Sequence, residues 1–478
     1  MRGSRVPVKV VAVLGVLVAG LSGCTVGRTD HADEVTAHQA LLHGAVVSNR
    51  NETGYFWFDF APVGESYGAP SLQTVEYTDG TWIPVQLRQD GLEPATQYKY
   101  RVCSKDSDAE RRAAPGCGET KVFTTPPAPS AAVSLGDSYI SGEAGRWQGN
   151  SVNAVADRDG TDRAFTGTGY DLSRAYEPPS DTNGCHRSDV AEIRSASLSV
   201  DEKFNLACSG AVTRNIFRAT AGGEGQNGEL PQSDQLVSVA RDKDVKLIVL
   251  SIGGNDLGFA SIVSACLQAY TTSGAPCEGT QQPGIEAKFP AAMANVGKAI
   301  DEIRTVMRDA GYLSSSYRLV LQSYPSAIPR ASEIRVPEID RVSRTSVDGC
   351  PVYDSDANWA RDSVVDQISD NLKAVAVDRG VQFMDLRDLL QGREMCSKST
   401  RLATPTQGPS PTTSDWARFL NVAAVEAQGQ LQETFHPNAY AQQALGRCLS
   451  LLYAQTGSFA CENTPGNGPE GVVLKPGS

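Results

Sequence analysis

The run Thr124-Thr125-Pro126-Pro127-Ala128-Pro129-Ser130 divides the chain into two textures that no single fold accommodates. A proline cluster makes a short, stiff connector, because each ring fixes φ and removes an amide donor. Before it, strand follows strand: Gly44-Ala45-Val46-Val47, Gly54 to Phe60 and Tyr98 to Cys103 carry β-branched or aromatic residues, often alternating. Turn clusters such as Asn51-Glu52-Thr53-Gly54 and Asp79-Gly80 separate them, which is the pattern of a β-sandwich. After the prolines, short apolar runs alternate with helical periods. Residues 131–135, 245–252, 317–322 and 381–386 read apolar on both faces, which predicts buried parallel strands. Helices are expected over 285–310, 358–378 and 438–455. In the last, Ala441, Ala444, Leu445, Cys448, Leu449 and Leu452 share one helical face. Strand and helix alternating in this way predict a doubly wound α/β layer structure. Two stretches, 141–181 and 404–413, stay irregular, and long loops inside a compact domain are often functional.

The amino terminus reads as an export signal over residues 1–23, since Arg2, Arg5 and Lys9 precede an apolar run with no acidic neighbour. The run ends in Leu21-Ser22-Gly23-Cys24, which resembles a bacterial lipobox; the resemblance implies acylation of Cys24, cleavage before it and attachment to a membrane surface. A plain secretory signal and a short transmembrane anchor are the other readings, although the run is short of the roughly 20 residues that a bilayer needs. The expected order is a tether over 24–35, a β-sandwich over 36–126, an α/β domain over 130–463 and a flexible tail over 464–478. Within the sandwich, Gly91-Leu92-Glu93-Pro94-Ala95-Thr96-Gln97-Tyr98 resembles the tyrosine corner of fibronectin type III domains. There the Tyr hydroxyl bonds to nearby backbone and the ring fills the core.

Losing Arg2, Arg5 and Lys9 takes the formal charge from -12 to -15. So acidic a surface disfavours nucleic acid and anionic headgroups, and no basic run reverses it locally. A small neutral or apolar substrate fits better. Setting Cys24 aside leaves Cys103, Cys117, Cys185, Cys208, Cys266, Cys277, Cys350, Cys396, Cys448 and Cys461. An even number in an exported chain points to disulfides, and the lack of any CxxC pair argues against zinc or a redox dithiol. Sequence alone leaves the connectivity open. Sequential pairing is expected because each successive pair closes a short loop, and each bridge would contribute about 2–4 kcal/mol.

Imidazole is the side chain best suited to act as a base near neutral pH, and the chain has five histidines. His31, His38 and His43 belong to the tether or the sandwich. His186 follows Cys185 and reads as orienting or structural. His436, in Glu433-Thr434-Phe435-His436-Pro437-Asn438, is expected at or just before a helix start, where the helix dipole would keep the ring neutral. The candidate nucleophile is Ser138. Val133-Ser134-Leu135-Gly136-Asp137-Ser138 reads as a strand entering a tight turn, and ligands bind at the carboxyl ends of strands in open α/β sheets.

Gly136-Asp137-Ser138, the Gly of Cys208-Ser209-Gly210, Gly253-Gly254-Asn255-Asp256 and Phe435-His436-Pro437 stand in the order that defines the SGNH, or GDSL, hydrolases. Over about residues 130–455 the chain resembles that family, and most closely its disulfide-containing secreted lipases and esterases. The resemblance implies a three-layer α/β/α fold with a flavodoxin-like parallel sheet, and bridges Cys185 with Cys208, Cys266 with Cys277 and Cys350 with Cys396. It implies a carboxylic ester hydrolase working through an acyl-enzyme, with Ser138 as nucleophile and His436 as general base. The oxyanion would be held by the N–H groups of Ser138 and Gly210 and by the Asn255 amide. The chain departs from the family in one place: Glu433 stands where the family has Asp. A backbone carbonyl is therefore expected to orient His436, with Glu433 assisting at best. No cofactor or metal is implied, and a monomer is expected. A glycan deacetylase and an inactive scaffold that only binds are the alternatives.

Overall fold

The computed structural model describes residues 25–106, 115–420 and 431–476. Cys24 and the expected export segment lie outside the described residues. The chain forms two compact units, residues 1–126 and 127–478.

In the first unit, one antiparallel sheet joins β1 (Val26–Asp33), β2 (Gln39–Val47) and β5 (Ile83–Asp90). A second joins β4 (Gln73–Tyr77), β3 (Glu52–Pro62), β6 (Gln97–Asp106) and β7 (Gly116–Cys117), with β8 (Lys121–Thr124) also on β6. The period-2 pattern turns Ala40, Leu42 and Val46 from one sheet and Phe56, Phe58, Tyr100 and Val102 from the other into one core. The Tyr98 hydroxyl accepts the Glu93 amide at 2.8 Å, closing the corner before β6. The expected tether over 24–35 is corrected here, because residues 26–33 are an edge strand paired with β2. Gly27 allows it to lie close, since a Cβ there would meet the Val102 carbonyl oxygen at 2.5 Å, and Thr29 Oγ1 accepts the Val102 amide.

The second unit is built on a seven-stranded sheet. Its strands are β9 (Ser130–Gly136), β10 (Glu202–Asn205), β11 (Asp244–Ser251), β12 (Arg318–Gln322), β13 (Gln382–Asp385), β14 (Phe459–Glu462) and β15 (Val473–Pro476). The spatial order is β10-β9-β11-β12-β13-β14-β15, parallel except for the last pair. The first five strands follow the 2-1-3-4-5 order of flavodoxin-like sheets. Alternate side chains feed two cores. Ala131, Val133, Leu135, Ile248 and Leu250 pack on one face with α2 (Gln232–Asp242), α4 (Glu278–Asp309) and α5 (Val365–Arg379), while Ala132, Leu247 and Val249 pack on the other with α6 (Ala439–Tyr453). This is why the strands read apolar on both faces. The expected flexible tail is also corrected: residues 473–476 pair antiparallel with β14. Among the described residues no helix is long and apolar enough to cross a membrane.

Disulfides join Cys103 to Cys117, Cys185 to Cys208, Cys266 to Cys277, Cys350 to Cys396 and Cys448 to Cys461. Each links neighbours in the order of the chain, and they suit an exported protein.

Candidate active site

In a doubly wound sheet, the crevice opens where connections leave adjacent strands in opposite directions. Here that point lies between β9 and β11. β9 ends in Gly136, whose φ of +143° and a Cβ position 2.0 Å from the Ser251 carbonyl oxygen admit only glycine. The Gln232 side chain clamps the same peptide, accepting its N–H and donating to its carbonyl, both at 2.7 Å. The chain then turns into the short helix α1 (Ser138–Ser141), capped by Asp137, which accepts the Tyr139 amide. The other Asp137 oxygen accepts the Tyr324 hydroxyl, and that hydroxyl accepts the Gly254 amide at 3.1 Å, so the turns after β9 and β11 are held together. Burial pushes the Asp137 carboxyl up to about 7 against the opposing effect of these donors.

Ser138, 6% exposed, and His436 meet directly: Oγ lies 2.7 Å from Nε2. The far nitrogen, Nδ1, is 3.0 Å from the Thr434 carbonyl oxygen, which makes it the N–H and leaves Nε2 as the acceptor for the serine proton. Burial holds the imidazole below its ordinary range, opposed by the charge of Glu143 and by carbonyl acceptors. Helix α6 begins within one residue of its expected start, with His436 just before it. Its cap is Asn438, whose side chain accepts the Tyr440 and Ala441 amides, so Pro437 precedes the helix rather than opening it. The Tyr139 hydroxyl donates to the Phe435 carbonyl at 2.8 Å, tying the histidine loop to the serine helix.

Glu433 meets His436 through the backbone alone, its carbonyl accepting the His436 amide at 3.4 Å, while its carboxylate is bonded elsewhere. It is 2% exposed and accepts Trp147 Nε1 at 2.9 Å and the Tyr176 hydroxyl at 2.6 Å. Its expected assisting role on the imidazole is corrected accordingly, because its longer side chain carries the carboxylate past the ring into this aromatic cage.

Gly210, at φ +79°, follows Cys208, whose amide donates to the Gly136 carbonyl at 3.1 Å and so lays this loop beside the serine turn. Among the described residues, neither the Ser138 nor the Gly210 N–H is hydrogen-bonded to a protein acceptor. Asn255 Nδ2 donates to the Ala211 carbonyl at 2.9 Å, which orients the amide and leaves its second N–H available. Ser138 and Asn255 line one pocket of about 1000 Å³, its mouth included. Phe259, Ile262, Val263, Ile328, Val352, Trp359, Val364 and Ile368 form its walls, almost wholly apolar. Helix α3 (Phe259–Thr271) supplies one wall, and the Cys266–Cys277 bridge ties it to the start of α4.

Tyr324, Gln232, Tyr139 and Glu143 were not legible as site residues in the sequence, since none was marked by a motif, whereas His186 reads there as orienting or structural. His186 bonds Glu143 through Nδ1 at 2.9 Å and does not serve as the base for Ser138.

The chain is similar to an esterase and a lipase of Streptomyces. An esterase of Streptomyces scabiei is 23% identical over 207 residues, 40% of this chain and 56% of the relative. The chain thus spans about half the length of that esterase. Lipase 1 of Streptomyces coelicolor is 23% identical over 269 residues, 55% of this chain and 75% of the relative. Among solved structures, the sensor domain of the anti-sigma factor RsgI4 in Pseudobacteroides cellulosolvens matches 22% of this chain and 99% of its own, at 13% identity and a TM-score of 0.17. The profile of the GDSL-like lipase/acylhydrolase family matches residues 134–444, well over half of the sequence, and the chain belongs to that family.

Proposed function

We propose that this protein hydrolyses carboxylic esters with an apolar acyl group through an acyl-enzyme on Ser138. The observation that carries the reading is the 2.7 Å contact between Ser138 Oγ and a neutral His436 Nε2 at an apolar pocket. His436 takes the hydroxyl proton as Oγ attacks the ester carbonyl. The oxyanion is met by the N–H groups of Ser138 and Gly210 and by the Asn255 amide. His436 then returns the proton to the leaving alcohol and activates water for deacylation. The Thr434 carbonyl holds Nδ1–H, so a Ser-His pair works without a third side chain. An acetyl group would leave most of the pocket empty, which favours longer acyl chains over a glycan acetyl ester.

The first unit is read as a fibronectin type III-like module, supported by its two sheets of three and five strands and the Tyr98 corner. It would space the enzyme from a membrane to which lipidated Cys24 attaches it, the protein acting as a monomer. A fluorophosphonate probe and nitrophenyl esters of two to sixteen carbons test the function. Labelling of wild type but not Ser138→Ala, with turnover highest on mid-length or long chains, is expected. No labelling, or turnover confined to acetyl esters, rejects it.

A further inference from the structure

The mechanism above leaves one buried charged pair unused. Glu143 is fully buried, and both of its oxygens lie at 2.9 and 3.0 Å from Nδ1 of His186. The pair sits among the loops of the candidate centre. The Glu143 amide donates to the Ser138 carbonyl at 3.1 Å, so its place is set by the serine turn. His186 follows Cys185, which is bridged to Cys208 in the loop of Gly210, and Ser209 in that loop helps to lower the same carboxylate. His186 Nδ1 is 2.8 Å from the Gln432 side-chain amide, and its ring stacks on Tyr176 with centroids 4.6 Å apart. Because Nδ1 gives its proton to Glu143, the oxygen end of that amide is the one that can face it.

We infer that Glu143, held by His186, is a positioning carboxylate of this centre: it ties the serine turn, the oxyanion loop and the histidine loop together, and its charge stabilises the His436 imidazolium where the family's aspartate is absent. The inference rests on the Ser138–His436 reading. A buried ion pair adds little net stability over apolar residues of equal volume, so fixing the register of three loops is the better use of one. Burial alone would raise the Glu143 carboxyl, but the bond and charge of His186 outweigh it and hold it below its ordinary range. His186 is raised by the same contact, against the effect of its own burial. Of the other charges, His186 itself opposes the His436 imidazolium, Glu433 faces Tyr176, Arg146 and Arg418, and Asp137 is bonded to Tyr324, so Glu143 is the carboxylate that supports it.

The test compares wild type, Glu143→Gln and Glu143→Asp by NMR titration of labelled imidazoles and by the pH profile of kcat/KM on a short nitrophenyl ester. Glu143→Gln is expected to lower the His436 midpoint and carry the acid limb of kcat/KM to lower pH. Its kcat should fall by roughly tenfold or more at nearly constant KM, the pattern of an interaction made in the transition state. Glu143→Asp, which keeps the charge, should restore most of the midpoint. An unchanged midpoint in folded Glu143→Gln, or a change in KM alone, overturns the assignment. Should Glu143→Gln not fold, Ser209→Ala carries the test: kcat falls severalfold at constant KM, and an unchanged kcat overturns the tie to the oxyanion loop. The titration needs no turnover, so wild type that resists fluorophosphonate would reject the hydrolase reading while the midpoints still judge Glu143.

Discussion

Replacing Glu433 by Gln separates two mechanisms that differ by several kcal/mol. If Glu433 were the third member of a triad, its loss would leave the imidazole in the wrong tautomer. That costs about ten-thousand-fold in kcat, or roughly 5.4 kcal/mol at 1.36 kcal/mol per decade. The structure puts its oxygens on Trp147 Nε1 and the Tyr176 hydroxyl instead, while Nδ1 of His436 is held by the Thr434 carbonyl. Gln keeps the shape and one acceptor, so one donor of the cage faces an amide NH₂. A hydrogen bond to a charged group is worth about 1.5–3 kcal/mol, and at 2–4 °C per kcal/mol the loss lowers Tm by roughly 3–12 °C. Arg418, which burial brings down to about 9, also loses the negative charge that most opposes that fall. The cost therefore falls on stability, and kcat of the folded enzyme stays within about tenfold of wild type. Calorimetry and turnover of a nitrophenyl ester, measured on one preparation below the transition, check both halves. A loss of more than about a thousandfold in kcat with Tm unchanged would refute the reasoning and return Glu433 to the centre.

Asn255→Ala removes an oriented donor and should lower kcat by about a hundred- to a thousandfold with little change in Tm, as kinetics and calorimetry would show. His436 must be neutral to accept the serine proton, and its folded value is lowered, so the acid limb of kcat/KM should lie below the roughly 6.5 of a free imidazole; a limb above that value contradicts the burial argument. Trp359→Ala opens the apolar pocket, so the preferred acyl chain in an ester panel should lengthen, at a stability cost of no more than about 3–5 kcal/mol. Gly136→Ala drives a Cβ to 2.0 Å from the Ser251 carbonyl oxygen and should give little soluble protein in an expression trial.

What was legible in the chain was what local pattern carries. Strands β9, β11, β12 and β13 lie within a residue or two of their expected places, because burial on both faces writes an unbroken apolar run. β1, β10, β14 and β15 were among those missed. Val26–Asp33 holds Arg28, Asp30, His31 and Asp33, and an edge strand that packs through Gly27 and Thr29 needs few apolar side chains, so it reads as a tether. Glu202–Asn205 is a sheet edge for the same reason, and Val473–Pro476 has only four residues.

The order of four short blocks, each at a turn after an apolar strand or before a helix, was written in the sequence and named the candidate serine, histidine, glycine and asparagine. Which groups surround them was not. The Ser138–His436 contact spans 298 positions, Trp147 to Glu433 spans 286, and Gln232 reaches Gly136 across 96. Periodicity reports only neighbours within a turn or a pleat, so a side chain that meets its partner through the folded sheet leaves no local trace. For that reason the partners of the Glu433 carboxylate, the choice of the Thr434 carbonyl behind His436 and the bond between Glu143 and His186 were decided by tertiary structure alone.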